Sequence, residues 1–322
     1  MTPRSKLAVV LFNLGGPDSL AAVEPFLFNL FYDPAIIRLP KPLRWLLAKL
    51  ISSRRAPVAQ HIYAQMGGRS PILPQTEAQA RALEVLLAEE FDARCFVAMR
   101  YWHPFADEAA RAVKSWGADE IVLLPLYPQF STTTTQSSLT DWACASEAAG
   151  LNTVPHIVKD YPEQSGFVEG YAKLLRSILL QHEGRENLRV LFSAHGLPEK
   201  IVKAGDPYPQ QIMASCAAIA RAANLDAEDW RLSYQSRVGP MKWIGPSTEE
   251  EIRRAGAEGK ALVVLPVAFV SEHSETLVEL DIEYAKLAAD VGVPLYRRVP
   301  ALQTAPDFIA GLADLVRQAR GG

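Results

Sequence analysis

The sequence predicts an α/β protein made of two similar domains, each a parallel four-stranded sheet flanked by helices. Short apolar runs alternate with amphipathic stretches of helical period along the chain, which is the pattern of strand–helix–strand units. Several runs are apolar at successive residues, as in strands covered on both faces. The chain has 322 residues, more than one core of ordinary size accommodates, so two domains are expected.

The apolar runs define eight strands, and the amphipathic stretches between them define helices. The predicted strands are Lys6–Asn13, Arg94–Tyr101, Glu120–Tyr127, Thr153–Asp160, Leu188–Ala194, Trp230–Gln235, Ala261–Phe269 and Pro294–Val299. The predicted helices between them are Thr76–Glu90, Phe105–Ser115, Gly166–His182 and Pro209–Ala223.

Three pairs of similar stretches indicate that one half of the chain repeats the other. They are Leu11–Pro17 with Leu191–Pro198, Ile121–Ser131 with Leu262–Glu272, and Thr153–Val158 with Gly292–Arg297. We therefore predict a first domain of residues 1–160 plus 303–322 and a second of residues 161–302. The first half also carries extra sequence at about residues 26–55.

Composition and charge exclude several classes of protein. A net charge of −3 gives no bulk basic surface, so nucleic acid is not an expected partner. The three cysteines form no CxxC pair and resemble small apolar residues in a reducing compartment. Only "MTPRSK" precedes the first strand and no apolar run reaches about 20 residues, so we expect a cytoplasmic protein.

His195 follows the fifth predicted strand at the point where that strand ends. Ligands of open α/β sheets bind outside the carboxyl ends of the strands, and "SEHSE" (Ser271–Glu275) follows the seventh strand in the same way. A neutral imidazole there can accept a proton or bind a metal ion. A core or capping histidine is the alternative.

The stretch Ser271–Tyr284 is predicted to open an α-helix with one acidic face. That face carries Glu272, Glu275, Glu279 and Glu283, and the opposite face carries Leu277, Leu280, Asp281, Tyr284, Leu287 and Ala288. Periodicity alone favours a solvated acidic face. If His195 faces Glu275, the two form a mixed N/O pair suited to a divalent metal in transit, since no HExxH or thiol cluster is present to close a site.

The extra sequence of the first half contains the helical pattern Leu39–Arg55, whose apolar positions are Leu43, Leu46, Leu47, Leu50 and Ile51. A core-facing helix explains this pattern best. The alternative is a lip that touches a membrane surface or a flat apolar ligand. Cations and hydroxyls near predicted loop ends could bind ligand carboxylates: Arg55, Tyr63, Ser70, Arg100 and Tyr101. Trp243 is either a core aromatic or a wall for a planar ring.

Eight stretches in this order resemble the ferrochelatase family over about Leu7 to Ala319. They are "NLGGPDS", "YAQMGGRSPI", "RYWHP", "LYPQFSTTTTQSS", "LFSAHGLP", "GDPYPQQI", "YQSRVGPMKWIGPST" and "FVSEHSETLVELDIEY". The resemblance implies two Rossmann-like domains with a porphyrin cleft between them (a chelatase-like fold). It also implies a lyase that inserts Fe²⁺ into protoporphyrin IX to give protohaem, the last step of haem biosynthesis.

The resemblance further implies roles for individual residues. His195 and Glu275 are the metal-site pair, and Glu279 continues a proton or metal path. Residues matching porphyrin-binding positions are Arg55, Tyr63, Ser70, Arg100 and Tyr101, with Trp243 and Phe269 as aromatic neighbours. The family usually has Asp where Glu272 stands. Thr132 stands where certain members have a cysteine, and the chain ends without their cysteine-bearing extension. We therefore expect no iron–sulfur cluster and no permanent cofactor, with Fe²⁺ as substrate.

Alternative functions stay open at this point. A chelatase for coproporphyrin, or a related cobalt chelatase, differs only in the carboxylates of its ligand. A tetrapyrrole or metal carrier would use the same pocket without turnover. A periplasmic-type binding protein suits two domains but needs a signal peptide. The expected partners are a porphyrin and ferrous iron, with peripheral contact to the inner face of the membrane as a further expectation.

Overall fold

The computed structural model describes residues 4–181, 187–237, 239 and 241–321. The chain forms two compact units, Met1–Asp160 with Leu312–Gly322, and Tyr161–Gly311. The sequence-based division also breaks after residue 160, but it returns to the first domain at residue 303. The later return reflects the start of the last helix, where Asp307 forms an ion pair of 2.7 Å with Lys173 of the second unit.

The first unit contains a parallel sheet in the order β2-β1-β3-β4. Its strands are β1 Lys6–Asn13, β2 Asp92–Met99, β3 Glu120–Pro125 and β4 His156–Ile157. Its helices are α1 Val23–Tyr32, α2 Lys41–Ala64, α3 Ile72–Leu87, α4 Ala106–Trp116 and α5 Thr135–Ala149. Apolar residues of the strands pack on α4 and α5 to form the core on one face of this sheet.

The second unit repeats this arrangement with a parallel sheet in the order β6-β5-β7-β8. Its strands are β5 Leu188–His195, β6 Trp230–Gln235, β7 Ala261–Pro266 and β8 Tyr296–Arg298. Its helices are α6 Ser165–Leu180, α7 Glu199–Lys203, α8 Tyr208–Ala222, α9 Thr248–Ala257, a π-helix Glu275–Tyr284 and α10 Ala285–Asp290, and α11 Pro306–Gly321 begins here. The two sheets have the same strand order, and the three pairs of similar stretches lie on equivalent strands: β1 and β5, β3 and β7, and β4 and β8.

All eight predicted strands are present, but several end earlier than predicted. β3 and β7 each end at a proline, Pro125 and Pro266, whose missing N–H leaves one backbone position without a donor. β4 has two residues instead of the eight predicted, since only His156 and Ile157 pair with β3 at the edge of the sheet.

The central strands carry the buried core of each sheet. β5 is buried at each position from Leu188 to Ala194, and only its last residue, His195, is partly exposed. β7 is buried throughout. This burial on both faces agrees with the unbroken apolar runs. His195, at the carboxyl end of β5, is therefore the one residue of this strand whose side chain reaches the surface of the unit.

The prediction that α2 faces the core was wrong. Three of the five predicted apolar positions are exposed, with exposed fractions of 56% at Leu43, 61% at Leu46 and 45% at Leu50, whereas Leu47 and Ile51 are half-buried. The buried positions are Arg44, Ala48, Ser52, Ala56 and Tyr63. Small residues therefore pack inward, and the apolar stripe of α2 faces solvent in this unit.

The predicted acidic helix differs in type from the expected α-helix. Glu275–Tyr284 is a π-helix, whose i→i+5 hydrogen bonds widen each turn. Its buried residues are Thr276, Val278, Leu280 and Tyr284, whereas Asp281, predicted on the buried face, is exposed. Glu272 lies outside the helix and is itself buried. The four glutamates therefore do not share one solvated face.

Candidate active site

His195 is fixed at the end of β5 by the neighbouring strand. It is paired in register with Gln235 of β6, and the Gly196 N–H donates to the Gln235 carbonyl oxygen at 2.9 Å. The φ of Gly196 is not positive, so its backbone conformation alone does not require glycine. A Cβ there would lie 3.1 Å from the Gln235 carbonyl oxygen and 3.2 Å from Trp243, so close packing is what requires glycine.

The ring of His195 is oriented by the backbone of the next residue, Gly196. Its Nδ1 lies 2.5 Å from the carbonyl oxygen of Gly196. A carbonyl only accepts hydrogen bonds, so Nδ1 carries the proton and the neutral ring keeps its lone pair on Nε2. That nitrogen lies 3.6 Å from Oε1 of Glu275. The predicted pair therefore does meet, with the basic nitrogen facing the carboxylate.

Glu275 begins the π-helix and presents an incompletely satisfied carboxylate. Its Oε2 is buried and has no hydrogen-bond partner among the described residues. An imidazole nitrogen and a carboxylate oxygen are both ligands for divalent first-row metals. Within the described residues, no group of three or more His, Cys, Asp or Glu side chains is arranged around a metal position. The pair is an open, two-ligand arrangement.

Glu279 lies one helical turn further on and is enclosed by donors. Its Oε1 accepts from the Ser236 N–H and the Tyr284 hydroxyl, each at 2.9 Å. Its Oε2 accepts from the Gln235 amide at 2.9 Å and the Ser236 hydroxyl at 2.5 Å. Burial raises the pKa of Glu279 above the usual glutamate value, and the charge of Glu275 raises it further, although the hydrogen bonds oppose both effects. Glu279 is thus a positioned carboxylate with enhanced proton affinity.

Gln235 joins the strand ends to the π-helix. Its amide nitrogen also donates to the Glu275 carbonyl oxygen at 3.0 Å, and its amide oxygen accepts from the Ser193 hydroxyl at 2.7 Å. Ser193 and Gln235 are fully buried. Because one amide contacts Glu275 and Glu279 and is held by β5, the strand carrying His195 and the helix carrying the carboxylates are mechanically connected.

His273 lies beside the pair, although sequence analysis did not single it out. Burial lowers its pKa below the usual histidine value; the carboxylates of Glu275 and Glu272 oppose this, and His195 adds to it. Its Nδ1 is buried and has no hydrogen-bond partner among the residues that the structure describes. The ring packs edge to face on Phe269, with centroids 4.4 Å apart. A second imidazole base therefore belongs to this site.

The two predicted aromatic neighbours both border the imidazoles. Trp243 lies with its ring centroid 6.4 Å from that of His195, and its indole nitrogen is buried with no partner in the described part of the chain. Phe269 contacts His273, and its carbonyl oxygen accepts from the Tyr171 hydroxyl. Each predicted aromatic ring therefore lies beside one of the two imidazoles of the site.

Comparison with known proteins places this chain in a family. A family model described as Ferrochelatase matches residues 6–320. The chain belongs to the ferrochelatase family. A ferrochelatase of Caulobacter vibrioides is 57% identical over 320 residues, covering 98% of this chain and 91% of the relative. One of Phenylobacterium zucineum is 59% identical over 312 residues, covering 96% and 90%. The resemblance found in the eight motifs is thereby confirmed, and with it the assignment to a lyase of the chelatase class.

Solved structures support the predicted fold. SirB from Bacillus subtilis with Fe³⁺ superposes with a TM-score of 0.55 at 12% identity, covering 98% of this chain and 95% of that chain. CbiX, described as the terminal enzyme of sirohaem biosynthesis in denitrifying bacteria, gives a TM-score of 0.51 at 15% identity, covering 98% and 99%. At such identities the likeness concerns the fold alone, and it confirms two sheets flanked by helices.

In the first unit, two of the predicted porphyrin-binding residues form one buried network. Arg100 forms an ion pair of 2.9 Å with Asp33, and the Tyr101 hydroxyl donates to the same carboxylate at 2.8 Å. The guanidinium of Arg100 also stacks over the Tyr101 ring at 5.1 Å. Burial, together with the charge of Asp33, raises the pKa of Tyr101 well above its usual value, so its hydroxyl stays protonated. In this unit both groups are engaged internally.

The other three differ in exposure. Tyr63 is 7% exposed and belongs to the apolar cluster that contains Tyr101, and Ser70 is 6% exposed. Arg55 lies on the exposed side of α2 with its guanidinium 5.6 Å from the Phe31 ring, and it has no ion-pair partner among the described residues. Of the cations predicted to bind a carboxylate, Arg55 is therefore the one that is free to do so.

Proposed function

We propose that this protein inserts ferrous iron into protoporphyrin IX and releases protohaem. The observation that carries the proposal is the His195 Nε2 to Glu275 Oε1 approach of 3.6 Å at the carboxyl end of β5. In the reaction, two pyrrole N–H bonds break, two protons leave, and four nitrogen–iron bonds form, without a change in oxidation state. Iron is a substrate here, and the reaction so written needs no resident cofactor.

His195 accepts the pyrrole protons in this proposal. Its Nδ1–H is bound to the Gly196 carbonyl oxygen, so only Nε2 can take up a proton, and Nε2 faces the carboxylate that stabilises the resulting charge. A positioned base of this type contributes typically about 10²–10⁴-fold to a proton-transfer step.

In this proposal, Glu275 and Glu279 carry protons away from the ring, or guide the metal towards it. Glu275 has a free buried oxygen that can bind Fe²⁺ or a proton. All four acceptor positions of Glu279 are occupied by donors from Gln235, Ser236 and Tyr284, so a metal would have to displace one of them. Its raised pKa makes it a better proton acceptor than an exposed glutamate. We therefore propose proton transfer as the role of Glu279.

Of the remaining predicted residues, we propose that some contact the porphyrin directly and that others act through a neighbouring side chain. Trp243 and Phe269 border His195 and His273 and supply apolar ring contacts. Arg55 is available to bind a propionate carboxylate, since a guanidinium matches that group in shape and charge. Arg100 and Tyr101 act through their bonds to Asp33 rather than through a free charge.

The test is a spectroscopic assay with protoporphyrin and coproporphyrin side by side. Each is mixed with Fe²⁺ under anaerobic conditions, and the Soret band is followed with porphyrin in large excess over protein. Faster catalytic conversion of protoporphyrin supports the proposal. Preference for coproporphyrin would replace it by the coproporphyrin reaction, and a change that stops at one equivalent of protein would indicate a carrier.

We also propose that the protein binds the cytoplasmic, anionic surface of a membrane through α2. Within the described residues, no helix is long and apolar enough to cross a bilayer. The exposed apolar residues Leu43, Trp45, Leu46 and Leu50 are instead interleaved with lysines and arginines of the same helix. Such a surface is typical of helices that lie in the headgroup region.

Sedimentation with anionic phospholipid vesicles tests this contact. Leu46→Glu is expected to abolish most binding, because it places a charge in the middle of the apolar stripe. The matched control is Val85→Glu, which alters another exposed apolar residue, 71% exposed on α3. Equal binding by wild type and Leu46→Glu would contradict the proposal.

A further inference from the structure

Arg298, the last residue of β8, holds two carboxylates that flank the active-site glutamates. Its Nε and one terminal nitrogen donate to the two oxygens of Asp281, at 2.7 Å and 2.8 Å. Its other terminal nitrogen donates to both oxygens of Glu272, at 2.9 Å and 3.1 Å. The side chains of Arg298 and Glu272 are 10% and 7% exposed. This is a largely buried, charge-assisted network.

The two carboxylates bracket the functional segment of the chain. Glu272 precedes Glu275 by three residues, and Asp281 follows Glu279 by two. Glu272 also accepts from the Ala301 N–H at 2.9 Å. The Arg298 guanidinium therefore joins the side chain of Glu272, before the π-helix, to that of Asp281, within it. Both active-site glutamates lie between these two residues in the sequence.

The guanidinium is itself anchored to the sheet. Arg298 pairs in register with Val264 of β7, and the next residue, Val299, donates its N–H to the Val264 carbonyl oxygen at 2.8 Å. Burial lowers the pKa of Arg298, but the hydrogen bonds and charges of Asp281 and Glu272 more than reverse this, so the group stays charged. The network thus connects a rigid strand to a helix of unusual pitch.

The π-helix is also tied to the sheet on its other side, where Gln235 and Ser236 at the end of β6 donate to Glu279. The Tyr296 hydroxyl donates to the Leu280 carbonyl oxygen at 2.8 Å, and Gln235 donates to the Glu275 carbonyl oxygen at 3.0 Å. Both are single bonds between neutral groups, whereas Arg298 makes two charge-assisted bonds to Asp281 within the helix and two to Glu272 before it. The β6 end therefore holds the helix through Glu279, and Arg298 holds it through Asp281, so the position of Glu275 relative to His195 depends on Arg298 as well as on the β6 end.

We infer that Arg298 is a positioning residue for iron insertion, acting through Glu275 by fixing the π-helix against β8. The inference rests on the proposed function. It also gives Glu272 a role different from that of Glu275: Glu272 is an anchor of the network rather than a member of the proton path.

Arg298→Lys is the primary test, because lysine keeps the charge but cannot bind two carboxylates in the geometry of a guanidinium. Misplacement of a reacting group by about 1 Å costs up to about 10²-fold, so we expect kcat to fall by at least about 10-fold. The KM for protoporphyrin should stay within about twofold, since Arg298 binds no ligand directly. If Arg298 were needed only for folding, Arg298→Lys would lower the melting temperature without lowering kcat at an unchanged KM.

A double-mutant cycle makes the test specific. In the Glu275→Gln background, measured in single turnovers with protein in excess, Arg298→Lys should change the rate by less than about twofold, since the effect passes through Glu275. The matched control is Arg320→Lys, which disrupts a paired contact of 2.7 Å with Glu120 in the first unit and should leave kcat unchanged. An undiminished Arg298→Lys effect in the Glu275→Gln background would overturn the inference.

Asp281→Asn provides a second variant in case Arg298→Lys does not fold. It removes one side of the network at a side chain that is 35% exposed and leaves the Glu272 pair intact. We expect the same kcat loss with unchanged KM, and faster hydrogen exchange in a peptide covering residues 275–284. Unchanged kcat and exchange would contradict the inference. Absence of turnover by the wild type would instead refute the proposed function, while the exchange measurement would still test the anchoring.

Discussion

Replacing Tyr284 by phenylalanine removes one hydrogen-bond donor from Glu279 and keeps the buried ring in place. The Tyr284 hydroxyl donates to Oε1 of Glu279 at 2.9 Å, and the side chain belongs to the core cluster around Leu280. A hydrogen bond to a charged group contributes about 1.5–3 kcal/mol. Because the Ser236 N–H still binds the same oxygen, we expect the lower value, about 1.5 kcal/mol.

This loss acts on the ionised form of Glu279, so it changes the pKa and the pH dependence of stability. A loss of about 1.5 kcal/mol corresponds to about one pKa unit upward. Burial already holds the pKa of Glu279 above its unfolded value. Between those two pKa values the folded state binds more protons than the unfolded chain, so stability falls as pH rises. Tyr284→Phe raises the folded-state pKa of Glu279 further, so stability falls over a wider pH range and by a larger amount.

The assay is thermal unfolding followed by circular dichroism at several pH values. Above the pKa of Glu279 in the variant, the expected decrease in melting temperature is about 3–6 °C, since about 1 kcal/mol shifts it by about 2–4 °C in a domain of this size. Below the unfolded pKa, where the carboxyl is protonated in both states, the decrease should shrink to that of a neutral hydrogen bond.

Tyr296→Phe is the matched control, because its hydroxyl donates at 2.8 Å to a neutral carbonyl of the same helix, that of Leu280. It should cost about 1 kcal/mol at every pH. The reasoning is refuted if Tyr284→Phe shows the same pH-independent loss as Tyr296→Phe, since Glu279 would then not be the group whose ionised form the tyrosine stabilises.

Two further predictions concern catalysis and packing. His195→Ala should fold normally and lose about 10²–10⁴-fold in the rate of iron insertion, and near-normal turnover would exclude it as the base. Gly166→Ala should destabilise by about 1–3 kcal/mol because a Cβ there would lie 2.1 Å from the Asp307 carbonyl oxygen, as measured by chemical denaturation. Gly170→Ala on the same helix should cost less, because its Cβ meets only the movable end of Leu302, and equal losses would contradict this.

The strands were predictable because each is a nearly unbroken apolar run, and the order of the runs repeats. Burial on both faces of β5 and β7 leaves little choice of residue type, so the pattern is visible without coordinates. Their ends were less accurate where a proline stopped the ladder or an edge strand was short. His195 was found by the same logic, since a polar residue at the carboxyl end of a buried strand faces the ligand side of the sheet.

The acidic helix was predicted in the right place with the wrong periodicity. Residues were assigned to faces by the α-helical period, and a π-helix shifts every later residue around the axis. Asp281 was therefore assigned to the mostly apolar face, whereas its partly exposed side chain binds Arg298. No pattern in the sequence specifies the wider turn, which is held by contacts from β6 and β8.

The contacts of the glutamates came from residues distant in sequence. Gln235 lies 44 positions from Glu279 and still donates to it. A signal was available, because Gln235 ends the sixth strand and Ser236 follows it, just as His195 ends the fifth. His273 lies within the same short stretch as Glu275. The rule that ligands bind outside the carboxyl ends of strands, if applied to every strand, would have selected Gln235 and His273 as well.

The exposure of α2 was misjudged because an apolar stripe usually marks the buried face of a helix. Here the opposite face is lined by Ala48, Ser52 and Ala56, whose small side chains allow close packing. Leu43, Leu46 and Leu50 are left exposed as a result. Small residues at regular spacing were the signal for the inner face.

The most direct test of the account is iron insertion by Glu275→Gln, measured together with protoporphyrin binding by fluorescence quenching. Glutamine keeps the size of the side chain but removes the charge that faces Nε2 of His195 at 3.6 Å. We predict unchanged porphyrin affinity with at least about 10²-fold slower insertion. Insertion at the wild-type rate would show that this carboxylate does not take part in the reaction.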